Sequence, residues 1–275
     1  MPDRTDLAYS FDGTFAGVLC CIFDSYTRHE IPAAILLDGE PSLYPVHSVM
    51  TDQAHAARVW KSLLKIGGEV PWWTSDAWLS GADGREEAIC AFVRRAYQCG
   101  VRVTGMYADP AVDRIFKLSR AVRNEAHYYK EFLRFSDYNG ALVSEIEPKA
   151  MVLPHIRRHY AERLPEETFL IFDRTHGQAL FYRPYEAVIQ EVEDLELPPA
   201  DETEQAFRKL WRHYYDTIGV EGRYNPECRR NHMPKHFWKH MTEMYDKRGL
   251  PESPRAPRPL EGTMLRGLPE KGRAK

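Results

Sequence analysis

The sequence predicts an α+β fold, with short mixed or antiparallel sheet segments, a substantial helical layer, a helical C-terminal region and a disordered tail. Three observations carry that expectation. The chain opens on a strand, turn and helix between Leu7 and His29, changes to a helical period between Asp52 and Tyr129, and shows a hairpin pattern from Thr168 to Tyr182. At 275 residues it is long enough to bury a sizeable core. Its 43% hydrophobic and 28% charged residues exclude wholesale disorder and a fibrous architecture.

The apolar and aromatic run Leu7–Asp12 reads as a strand, and Asp12-Gly13-Thr14 turns into a helix with Thr14 as N-cap. Val18, Leu19, Ile22, Phe23 and Tyr26 recur at helical spacing up to His29, and Ile31-Pro32 ends the helix. Ala33–Val49 reads as short strands joined by tight turns at Asp38-Gly39 and Pro45. Helices are expected at Ala54–Ile66, Arg85–Cys99 and Pro110–Lys130, with Trp72, Trp73 and Trp78 in an aromatic loop after Pro71. Strands follow at Phe132–Phe135 and Ala141–Ile146, then a helix at Ala150–Arg163. A hairpin joins Thr168–Asp173 to Gln178–Tyr182 across Thr175-His176-Gly177, and a helix runs from Glu202 to Asp216. These elements make one α+β domain over residues 1–250, divisible into sub-lobes near 1–130 and 131–250, before a Pro-rich disordered tail at 251–275.

The polar, acidic start lacks a secretory signal, and no apolar run approaches the roughly 18–20 residues that span a bilayer, so a cytoplasmic protein without membrane contact is expected. Cys20, Cys21, Cys90, Cys99 and Cys228 form no CxxC pair and suit reduced thiols. A net charge of −3 confines any polyanion surface to local clusters. The densest is residues 222–241, where five Arg or Lys and three His meet one acid, interleaved with Tyr224, Phe237 and Trp238. Cations neutralise phosphates and aromatic faces stack on bases, which suits nucleic acid; a solvated basic helix with its aromatics turned inward explains the pattern equally well. Arg223, Asn225, Arg229, Arg230, Lys235, Trp238 and Lys239 are the contact candidates, and Asn231 is read as the cap of a helix starting at Pro234. His232, His236 and His240 are spaced by four but lack an accompanying carboxylate motif, and no metal site is assigned.

A second basic constellation, 116–135, adds Lys117, Arg120 and Arg123. No Walker, Rossmann, GxSxG or kinase pattern occurs, and no cofactor is called for. His155 and His159 lack the HExxH glutamate, which excludes a zinc protease and leaves them as surface or capping groups. By residue type alone, Asp12, Glu125, His127 and Asp173 are the acid or base candidates of a DNA-acting enzyme.

Four stretches, YSFDGTFAGVLCCIFDSY at 9–26, LSRAVRNEAHYYKEFLRF at 118–135, VLPHIRRHYAERLPEETFLIFD at 152–173 and RYNPECRRNHMPKHFWKHMTE at 223–243, together resemble the DUF4130 family of DNA metabolism proteins. The resemblance implies a role in bacterial DNA repair or modification beside a radical SAM protein, some relatives carrying a uracil-DNA glycosylase-like domain. It implies three partners: DNA, the radical SAM protein and a uracil-DNA glycosylase-like protein. The expected function is a DNA-binding accessory protein; the alternatives are an enzyme acting on DNA and a scaffold for the radical SAM partner without DNA contact.

Overall fold

Strand β1 (Ala8–Phe11) is buried along its whole length, so its apolar run does not alternate. Helix α1 (Phe15–Arg28) follows once Thr14 Oγ1 has accepted a hydrogen bond from Gly17 N at 3.0 Å, while Asp12 Oδ1 accepts from both Thr14 N and Thr14 Oγ1. A Cβ on Gly17 would lie 2.4 Å from Asp12 Oδ1 and 2.7 Å from Phe11 Cδ2, so only glycine lets α1 leave the strand this closely. β2 (Ala34–Leu37) and β3 (Val46–Ser48) flank β1 on opposite sides, both parallel to it, with Tyr9 opposite Ile35 and His47. The expected chain of tight turns is thereby corrected: a helical crossover brings β2 back parallel, and β3 reaches the far edge. These are features of a computed structural model, which describes residues 3–193, 195, 197, 199–218, 220 and 225–244.

Helices α2 (Gln53–Ile66), α3 (Val70–Leu79), α4 (Arg85–Cys99) and α5 (Pro110–Phe132) supply the helical layer. Leu63, Val70, Ile89, Phe92, Val103, Val112 and Ile115 are fully buried. The expected aromatic loop is instead α3. Pro71 stands in its first turn, where its missing N–H costs nothing, and Trp73 is buried beside Phe92 and Phe116 with ring centroids 6.0 and 5.4 Å away. Residue 132 likewise belongs to α5 and not to a strand. α6 (Leu153–Arg163) precedes an antiparallel meander. In it β6 (Thr168–Asp173) pairs with β7 (Gln178–Arg183), Leu170 opposite Phe181, and β7 with β8 (Glu186–Glu191), which the sequence reading lacks.

Two compact units result, one ending at Glu131 and resuming over Glu145–Leu195, the other made of Phe132–Ser144 and the described residues from Glu196 onward. The second holds the hairpin of β4 (Ser136–Tyr138) and the start of β5 (Ala141–Ile146), closed by Asn139 and Gly140, both at positive φ as a tight Asn-Gly turn requires. It also holds α7 (Glu202–Thr217) and α8 (Pro226–His232). Helix makes up 52% and strand 17%, in small sheets, which is the α+β class. Among the described residues no helix is long and apolar enough to cross a membrane.

Candidate nucleic-acid interface

Asp76 is the one acid in the apolar helix α3, and it is 1% exposed. Such burial is tolerated only with partners. Its Oδ2 accepts from Ser119 Oγ and Arg123 Nε, each at 2.6 Å, and His155 Nε2 lies 2.9 Å from Oδ1, an ion-pair distance without the alignment of a good hydrogen bond. Ser119 and Arg123 meet the same carboxylate because they are four residues apart on α5. Burial alone would push the Asp76 carboxyl up; His155, Ser119 and Arg123 more than offset it and hold it below its usual value, ionised. Burial also works against the Arg123 charge, but Asp76, and then Glu69 at 2.8 Å from Nη1, raise its pKa further.

Beside this cluster an open pocket of about 400 Å³ is lined by Trp72, Asp76, Arg123, Ala126, His127, Lys130 and His155. Trp72 is 54% exposed, on the same face of α3 as Asp76. Arg123, Ala126, His127 and Lys130 repeat at helical spacing on α5, and α6 contributes His155. His127 Nε2 sits 3.1 Å from Glu131, and Lys130 has no carboxylate partner among the described residues. With Arg123 already matched by two acids, the pocket suits one nucleotide unit: a base on the indole and a phosphate on Lys130 and the imidazoles.

Three of the four acid–base candidates serve the backbone. Asp12 caps the turn into α1, and Glu125 accepts from Lys149 N and Ala150 N at 2.8 and 2.9 Å. Asp173, fully buried, accepts from Thr175 N, His176 N and His176 Nδ1. Only His127 reaches the pocket. Of the basic candidates on α5, Arg123 lines the pocket, Lys117 pairs with Asp113 at 2.7 Å and Arg120 is exposed. The Cys20 and Cys21 thiols are buried, and burial pushes both up, away from reactivity.

Arg223 lies outside the described residues. Asn225, not Asn231, is the N-cap, its Oδ1 accepting from Cys228 N at 2.9 Å, because Pro226 opens α8. The chain then breaks at Met233-Pro234 into a 3-10 helix, Lys235–His240, so His232, His236 and His240 do not form one helical stripe. Trp238 is 3% exposed, with Nε1 donating to Met233 O at 3.0 Å and the cations of Arg229 and Lys235 5.4 and 5.6 Å from its ring. It therefore anchors the segment, while Arg230, Lys235 and Lys239 are exposed.

Sequence reasoning missed Asp76, and it left His155 without a partner. The available signal was a single carboxylate inside VPWWTSDAWL, a run too apolar to leave an acid in water.

A family model described as a domain of unknown function, DUF4130, matches residues 83–243. That segment carries Arg123, His127, Lys130 and His155 but begins after α3. No curated protein matches the chain. Among solved structures, a pGpG-specific phosphodiesterase, PggH, from Vibrio cholerae is similar at 9% identity with a TM-score of 0.29, over 64% of this chain and 81% of that one.

Proposed function

The chain belongs to the DUF4130 family, and on that footing we propose that it is a DNA-binding accessory protein of DNA repair or modification, whose first unit takes one nucleotide in the Trp72 pocket. The observation that supports this most is the exposed indole next to Lys130 and two histidines. Stacking is indifferent to sequence and the cations act on phosphate, a pairing suited to single-stranded or distorted DNA. Arg230, Lys235 and Lys239 add phosphate contacts from the second unit. In this reading the chemistry belongs to a partner, a radical SAM protein or a uracil-DNA glycosylase-like protein.

Fluorescence anisotropy with a labelled single-stranded oligonucleotide, repeated over a salt series, tests the proposal. Affinity should fall steeply with salt. Trp72→Ala should weaken binding by about 5- to 150-fold, the loss of one stacked base, with an unchanged salt slope. Lys130→Ala should instead lower the slope by about 0.7. Absent or salt-insensitive binding overturns the reading.

One observation favours a second reading, an enzyme acting on DNA. A buried carboxylate lies 2.9 Å from His155 Nε2 at the pocket, a proximity of acid and imidazole that general acid–base chemistry uses. Uracil-containing, alkylated and abasic DNA, each with and without divalent metal, form the assay panel. Turnover abolished by His155→Ala with binding retained would establish that reading, and no turnover across the panel removes it.

A further inference from the structure

α7 faces the wrong way for a helix of a lone protein. Its one buried residue is Glu204, which accepts from Arg208 Nε at 2.7 Å and from Asp137 N at 3.2 Å, while Arg208 Nη2 donates to Ser136 Oγ at 2.6 Å. The Glu204 and Arg208 side, which is packed on its own unit, is thus polar. On the outward side Phe207, Leu210, Trp211, Tyr214 and Ile218 are 63, 62, 41, 51 and 55% exposed. At 3.6 residues per turn all five fall within an arc of about 100° that holds no charged residue. Phe207, Trp211, Tyr214 and Ile218 follow one another at intervals of four, three and four, the spacing of a coiled-coil seam.

We propose that this seam is a homodimer interface in which α7 packs antiparallel against α7 of a second copy of the chain. The stripe carries no cation to hold a phosphate, and its aliphatic and aromatic side chains suit an apolar occupant; its 3.5-residue repeat fits a helix with the same repeat, and α7 itself has one. Antiparallel pairing separates the two acidic first turns, Asp201, Glu202 and Glu204, which a parallel pair would bring side by side. The stripe presents on the order of 600 Å² per copy, as large as the biggest apolar patches of ordinary monomers. Two copies together approach the roughly 1,200–2,000 Å² that a stable interface buries. Trp211 is already fixed by its Nε1 donating to Glu243 Oε2 at 3.0 Å, with the Tyr214 ring 5.7 Å away, so this anchor loses little freedom on association.

Sedimentation equilibrium on the full chain, over micromolar concentrations, reads the result. The wild type should fit a dimer of twice 31.9 kDa. Leu210→Glu and Tyr214→Glu should each weaken association by at least about 100-fold, because the dimer would bury two unpaired charges. Both side chains are exposed, so the far-UV circular dichroism of each variant should match the wild type. Lys209→Glu, exposed outside the stripe, should associate normally. A wild-type chain that stays monomeric overturns the proposal, as does a dimer that survives both stripe variants. Nucleic acid is absent throughout, so the outcome is independent of the DNA-binding reading.

Discussion

Asp76→Ala is expected to cost about 3–5 kcal/mol of stability, the usual penalty for removing one partner of a buried ion pair. The side chain receives Ser119 and Arg123 and touches His155, so its loss leaves a hydroxyl, a guanidinium and an imidazole facing a void. Chemical denaturation would show it as a lower midpoint with an unchanged slope. Asp76→Asn keeps the shape and one acceptor oxygen and should lose less. The charge also leaves a signature in acid. Because the folded-state pKa lies below the ordinary aspartate value of 3.8, the stabilisation is complete above that pH and disappears as pH falls through the folded value. Asp76→Asn should therefore flatten the acid limb of the stability curve. An Asp76→Ala variant as stable as the wild type would show that Asp76 does not organise the pocket. Trp72→Ala, by contrast, removes a half-exposed ring and should leave stability nearly untouched while weakening DNA binding, which separates scaffold from contact.

Asp173→Ala should cost about 2–4 kcal/mol, because it strips two backbone N–H groups and the His176 ring of their buried acceptor. Residue type makes Asp173 a catalytic candidate, and its geometry makes it the lock of the β6–β7 turn. The hydrogen bond from His176 raises the imidazole pKa above 6.5, so that contribution is complete below pH 6.5 and fades as pH rises through the folded value. The penalty of Asp173→Ala should accordingly be larger in mildly acidic buffer than at alkaline pH, as denaturant melts at the two pH values would measure. A penalty independent of pH would show that the imidazole contributes nothing to it.

The two aspartates show where sequence stops being informative. Asp173 stands three residues before His176, so its turn can be read from the chain, and the hairpin is read correctly. Asp76 meets partners 43, 47 and 79 residues away, which no local pattern specifies. The C-terminal segment is intermediate: its basic character is evident at once, whereas the break at Pro234 and the burial of Trp238 follow from packing.

Contacts within a few residues were enough to make the Thr14 cap, the spans of α2 and α4 and the β6–β7 hairpin legible in the chain. Helical and strand periods report which side of an element is apolar, and caps report where it starts. Neither names the partner. Packing sets β1 parallel between β2 and β3, draws Ser119, Arg123 and His155 around a lone acid in an apolar helix, and leaves the apolar side of α7 exposed. The physical reason is that each of these depends on a contact closed over a long loop or on a face left uncovered, and the free energy of such contacts belongs to the packed fold, not to any segment of it.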